Sequence, residues 1–264
     1  VVLKAVPKPV ERIWGGLRGE DGPVGELWWL YDDETGSTAL ESPGGGEAVS
    51  LRSLSGRRFP VLVKTLHTSM LLSVQVHPGA GGGAGKAETW AVLRASPDAF
   101  AYAGLAPGED PEGLLRAIGR GDPGPSLARL PLAAGDVLHL PPGTVHALGP
   151  GLTVLEVQEN NDITYRMYDW GRTGPDGRPR KLHLDEAMGA ISGGSRPFPR
   201  RPGRGAVRGP GYDLRPAEPG ELDLPPWSAV FLPEGGGGTG ELLLLPGGGR
   251  LRAPVPCWVI GMEV

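Results

Sequence analysis

His77, Glu88 and His146, joined by Gln75, are the residues of this 264-residue chain whose types and spacing could do chemistry. They lie in three short stretches: Ser73-Val74-Gln75-Val76-His77-Pro78, Lys86-Ala87-Glu88-Thr89-Trp90, and Gly135 to His146 in the pattern G-x5-P-x-G-x2-H. Two imidazoles, a carboxylate and an amide oxygen suit a divalent metal. Zinc comes first, with manganese, iron, cobalt and nickel open, because mixed nitrogen and oxygen sites discriminate poorly among first-row ions. A free coordination position would make such a site catalytic. A lone histidine on a strand is ordinarily a core or surface residue, so the reading rests on the three stretches occurring together.

The first stretch predicts a strand: Leu72, Val74 and Val76 alternate with Ser73, Gln75 and His77, which puts Gln75 and His77 on one face. A second strand starts at Glu88, with Trp90 and Val92 on the carboxylate's face. Gly135-Asp136 reads as a turn before a strand over 137–140, and Pro141-Pro142-Gly143 as a tight turn that delivers His146 to the next strand.

The elements around these stretches are mostly strands. One helix is predicted after Asp110-Pro111, an N-cap followed by proline at the first helical position. Leu114, Leu115 and Ile118 form its core-facing side, and Gly119 and Gly121 stop it. Strands follow over 152–158 and 162–168. In the latter Asp162, Thr164 and Arg166 share one face and Ile163, Tyr165 and Met167 the other; with the apolar trio outward, Asp162 and Arg166 look into the metal-bearing lumen. Residues 192–212 are rich in Gly, Pro and Arg without periodicity and predict a linker. Beyond it, strands over 227–232, 241–245 and 257–264 predict a second, smaller β-sandwich domain, 213–264, that covers an edge or mouth of a catalytic domain spanning 1–191. The expected class is all-β with a short helical excursion.

Composition narrows the partners. A formal charge of −4 and a pI near 5.8 argue against nucleic acid and membrane surfaces, so an anionic substrate would need a local cluster of positive charge. The basic run within 192–212 lacks interleaved stacking aromatics and reads as a solvated connector. With Cys257 as the only cysteine, no internal disulfide can form and a reducing compartment is expected; the first ten residues carry no leader pattern, so a soluble, cytoplasmic protein is expected. The 45 glycines and 29 prolines are spread between strand-like runs, as suits a turn-rich β protein. His67, His139 and His183 read as structural or exposed, and Trp14, Trp28 and Trp29 as packing residues.

The pattern from Gly135 to His146 is similar to the second cupin signature, with Pro150 in place of its closing Asn. The first signature is modified: Gln75-x-His77 replaces His-x-His, and ten residues separate His77 from Glu88. So modified, and together with Glu11-Arg12-Ile13-Trp14-Gly15-Gly16 and the segments 60–64 and 158–168, the chain resembles the type I phosphomannose isomerases of the short bacterial form over residues 7–190. That resemblance implies a cupin barrel (a double-stranded β-helix, or jelly roll) interconverting mannose 6-phosphate and fructose 6-phosphate. It implies that His77, Glu88 and His146 bind zinc, with Gln75 matching a fourth ligand of the longer family members, that Arg166 matches the catalytic arginine, and that Asp162 and Lys86 match an acidic and a basic site residue. The family's usual His-Pro-Asp-Asp reads His77-Pro78-Gly79-Ala80 here.

Aldose–ketose isomerisation asks for a polarised carbonyl, an oxyanion partner and a base. Arg166 can stabilise an oxyanion without losing its proton. Asp162 is the first candidate for the base, with a metal-bound water and Lys86 as rivals; Lys86 could equally anchor a phosphate or assist ring opening. Two other readings stay open: a non-catalytic sugar-binding or regulatory cupin, and an iron-dependent cupin oxygenase. The oligomeric state is not legible.

Overall fold

The computed structural model describes residues 1–42, 44–79, 85–161, 163–174, 176–192, 205–233 and 239–264. A central antiparallel sheet carries the strands Val137–Leu140, Glu88–Ala95, Leu152–Glu159, Val61–Thr68, Pro23–Leu30 and Lys8–Glu11 in that spatial order. A five-stranded sheet faces it: Leu127–Pro131, Phe100–Leu105, His146–Leu148, Val74–Val76 and Tyr165–Tyr168. Two facing antiparallel sheets with the metal stretches on their inner surfaces make an all-β cupin fold.

Alternation explains why the central sheet can be covered on both sides. Leu27, Trp29, Val61, Val63, Leu155 and Val157 point away from the lumen and form a core with Tyr212, Leu214, Phe231, Leu244, Trp258 and Ile260 of a third, eight-stranded sheet. Trp14, Leu66, Trp90, Val92, Leu138, Leu148 and Val154 form a second core inside the barrel.

Helices cover the outer face of the five-stranded sheet, where Val74, Val76, Val145 and Met167 pack with Leu114, Ile118 and Ala187. Leu114 and Ile118 belong to the helix Pro111–Gly119, whose N-cap Asp110 accepts from the Gly113 N–H at 2.6 Å. That is the excursion expected from Asp110-Pro111. Two further short helices, Leu51–Ser55 and Leu184–Ala190, are not evident in the periodicity.

Two sequence-based expectations need correction. The C-terminal strands do not make a sheet of their own, because Glu241–Leu245 pairs with Leu3–Ala5, which pairs in turn with Ala39–Glu41 and through it Val49–Ser50. Local periodicity cannot show a partner more than 200 residues away. Within the expected linker 192–212, Val207–Gly209 is instead a strand paired with Tyr212–Ala217, while 193–204 lie outside the described residues. Among the described residues, no helix is long and apolar enough to cross a membrane.

Candidate metal centre

Register brings the ligand candidates together from both sheets. On the five-stranded sheet Gln75 pairs with His146 on one side and Arg166 on the other, so the three lie in one row. His77 follows two residues after Gln75. On the central sheet Glu88 pairs with Gln158, and Trp90 with Glu156, which pairs with Lys64. The turn before His146 closes on the first ligand: Gly143, at φ +80°, donates its N–H to the His77 carbonyl at 2.8 Å. A side chain there would strain the backbone and meet the Ala190 carbonyl 2.8 Å from its Cβ.

His77, Glu88 and His146 are all buried, with ligand atoms within 4.8 Å of one another. The His77 Nδ1 donates to the Ile163 carbonyl at 2.8 Å and the His146 Nδ1 to the Thr144 carbonyl at 2.9 Å. Each ring therefore turns an Nε2 lone pair inward, as a ligating histidine does. His77 Nε2 lies 2.9 Å from Glu88 Oε1, and His146 Nε2 lies 3.6 Å from Glu88 Oε2. Among the described residues His77 Nε2 and Glu88 Oε2 have no hydrogen-bond partner, so buried lone pairs converge where a cation would satisfy them. Bonds of about 2.0–2.2 Å to one tetrahedral ion put neighbouring ligand atoms about 3.3–3.6 Å apart, close to these spacings.

Electrostatics keep the donors in their ligating forms. Burial lowers His146 to about 4 against the pull of Glu88, and lowers His77 likewise, so both rings are neutral. Burial opposes ionisation of Glu88, but the Lys86 ammonium beside it holds the carboxyl well below its usual range. Lys86 Nζ lies 3.0 Å from Glu88 Oε1. Gln75 Nε2 sits 3.3 Å from His146 Nε2; turned about its last bond, the amide offers its oxygen instead.

Glu88 borders a cavity of about 380 Å³ whose walls also include Gln75, Lys86 and Arg166. Arg166 is half-buried, its Nη1 donates to the Lys181 carbonyl at 3.0 Å, and its buried Nε has no partner among the described residues. Burial and the neighbouring Arg180 lower its pKa. Asp162 lies outside the described residues. His183 accepts from the Arg166 N–H through Nδ1 at 3.3 Å and supports that strand from behind. His67 and His139 instead contact the Thr65 and Thr89 hydroxyls.

Other wall residues escaped the sequence reading. Lys64 is buried between Glu156, at 3.0 Å, and Glu26, at 3.9 Å, and Glu26 also holds Arg12 at 3.1 Å. Burial and nearby Glu88 push the Glu156 carboxyl up to about 7, against the pull of Lys64. Arg180 lines the cavity while sharing Asp169 with Arg172. Trp14, read as packing alone, contributes to the cavity wall as well as the core. The available signal was a charged residue within each buried strand, Lys64 in 61–66 and Glu156 in 152–158, since such a charge needs a partner or a ligand.

Fold and site thus define a cupin whose buried histidine and glutamate donors could hold a metal ion beside a charged cavity that Glu88 lines. The chain is 35% identical over 211 residues to mannose-6-phosphate isomerase ManA of Bacillus subtilis, covering 70% of this chain and 66% of the relative. The structure matches the crystal structure of the mannose 6-phosphate isomerase from Bacillus subtilis at a TM-score of 0.78 and 24% identity, over 99% of both chains. It also matches a mannose 6-phosphate isomerase bound with zinc and yttrium at a TM-score of 0.67 and 14% identity, over 100% of both chains. No family model matches. The chain spans 65–66% of the length of the curated relatives it matches. By sequence and fold it is a relative of the mannose-6-phosphate isomerases.

Proposed function

We propose that the chain is a metal-dependent aldose–ketose isomerase that interconverts mannose 6-phosphate and fructose 6-phosphate. The observation that carries this reading is the buried His77, Glu88 and His146 cluster, whose Glu88 lines one cavity with Gln75, Lys86 and Arg166. Kinship with the mannose-6-phosphate isomerases supports the sugar. The cavity wall offers Arg12, Lys64, Lys86, Arg166 and Arg180 against Glu26, Glu88 and Glu156, five cations to three carboxylates. That excess supplies the local positive charge a sugar phosphate needs on a chain of net charge −4.

His77, Glu88 and His146 hold zinc in this reading, with Gln75 as the fourth ligand. Zinc supplies a Lewis acid that stabilises negative charge on a substrate oxygen. Asp162 removes the C2 proton and returns it to C1, while a hydroxyl proton passes from O2 to O1. The guanidinium of Arg166 stabilises the enediolate oxygen between those transfers, and its charge persists in a partly dry pocket. Lys86 holds Glu88 ionised and donates a hydrogen bond to the sugar during ring opening. All these residues lie in 1–191, to which we assign catalysis, and the single, buried Cys257 suits a reducing cytoplasmic compartment.

A coupled assay on zinc-loaded protein tests the reading. Turnover of mannose 6-phosphate to fructose 6-phosphate is expected. Saturable binding of the sugar phosphate without turnover would replace this reading with that of a sugar-binding cupin.

A further inference from the structure

The turn after the strand Leu152–Glu159 ties several separate parts of the chain to one another. The Glu159 carboxylate accepts the Ala87 N–H at 2.9 Å, and Asn160 Nδ2 donates to the Asp32 and Phe59 carbonyls, each at 2.7 Å. Asn161 does something different, because its two amide atoms serve two arms of the site. Its Nδ2 donates to the Gly85 carbonyl at 2.6 Å, and its Oδ1 accepts the Ile163 N–H at 3.2 Å.

Each partner stands one step from the chemistry. Gly85 immediately precedes Lys86, whose own N–H donates to the Pro78 carbonyl at 3.2 Å, next to His77. Ile163 is the residue whose carbonyl accepts the His77 Nδ1 proton at 2.8 Å and so fixes which nitrogen faces the metal. The turn is itself held, since Gln158 Nε2 donates to the Asn161 carbonyl at 2.9 Å and the Glu159 carbonyl at 3.0 Å. A side chain fastened at its backbone and bonded at both amide atoms has little freedom left.

We propose that Asn161 is a positioning residue that sets Lys86 and the His77 ring jointly: its amide nitrogen fixes the start of the Lys86–Glu88 segment, and its amide oxygen fixes the carbonyl that orients His77. This rests on the isomerase reading for the Lys86 arm alone. The His77 arm concerns metal affinity and is read without substrate.

Two variants separate the arms. Asn161→Ala removes both bonds, whereas Asn161→Asp keeps an acceptor for the Ile163 N–H and loses the donor to Gly85. Metal affinity is measured by competition with a chromophoric zinc chelator, and kcat and KM with mannose 6-phosphate. N161A is expected to lower zinc affinity about 10–100-fold, the usual loss for a residue that supports a ligand, and to lower kcat at saturating zinc. N161D is expected to keep zinc affinity within about threefold of wild type, well short of a supporting-residue loss, while its kcat falls with KM little changed. Wild-type zinc affinity in N161A, or wild-type kcat in N161D, would overturn the proposal. Should N161A fail to fold, the N161D kcat decides alone. A zinc-loaded wild-type protein without isomerase activity would refute the isomerase reading, while the chelator measurement would still report on the His77 arm.

Discussion

The two faces of the central sheet are built from the same strands and are both buried, yet they differ in almost everything else. Toward the third sheet, Leu27, Trp29, Val63, Leu155 and Val157 meet Phe231, Leu244 and Ile260 in an apolar layer. Its polar contacts include the Trp29 Nε1 bond to Thr65 and the hydroxyl contact of Thr89 with Tyr212 at 2.9 Å. Toward the cavity, the alternate residues are Glu26, Lys64, Glu88, Trp90 and Glu156. The apolar face is held by contact area, which is additive and tolerant. The cavity face keeps an apolar part, with Leu66, Val92 and Val154 in the second core, but its charged part is held by pairing, where losing one member leaves another unpaired. The difference shows where the molecule places stability and where it places chemistry.

The largest effect expected from breaking this contrast is on the cavity face at the metal. Glu88→Gln should lower zinc affinity by more than about a hundredfold, beyond the usual loss for a residue that only supports a ligand, and elemental analysis should find the purified protein depleted. Next, Lys64→Met should cost about 3–5 kcal/mol of stability in denaturant unfolding, because it leaves Glu26 and Glu156 buried without their shared cation. Adding Glu156→Gln should recover part of that loss in a double-mutant cycle. Leu155→Ala, on the apolar face of the same strand, should cost about 2–5 kcal/mol with metal content and kcat unchanged. If it also loses zinc, the two faces are not separable.

Arg166→Ala should reduce kcat at least about a hundredfold, as for the loss of one oxyanion donor, with metal content intact. The smallest effect is on pH dependence. Because burial lowers His146 to about 4 and also lowers His77, protons should compete with zinc for these rings only below the usual histidine range, and for His146 only near pH 4. The metal-free protein should behave differently. Between about pH 6.5 and 4 these histidines bind protons more readily when unfolded, so its stability should fall steadily across that window on acidification.

The cluster of His77, Glu88 and His146 was legible because its signals are local. Gln75 and His77 alternate with valines that pack beneath the helices, and Pro141 and Gly143 mark the turn that presents His146. Periodicity also put Glu88, Trp90 and Val92 on one face, which is the inner face of the barrel. It could not tell which of two buried faces would be apolar and which charged, so Lys64 and Glu156 passed as members of hydrophobic runs. Arg12, Glu26 and Arg180 were less visible still, since their relation to the cavity depends on strands and loops distant in the chain. The partner of Leu3–Ala5 is Glu241–Leu245, and the Asn161 partner Gly85 lies 76 residues away. Neither pairing leaves a local mark.

The central claim is that the buried His77, Glu88 and His146 donors serve an isomerase. Metal content and the rate of mannose 6-phosphate turnover, measured on the same samples during chelation and zinc titration, test it most directly. Turnover should vanish as metal is withdrawn and return in proportion to zinc, reaching its maximum at one ion per chain. Undiminished turnover in protein shown by elemental analysis to be metal-free would contradict it.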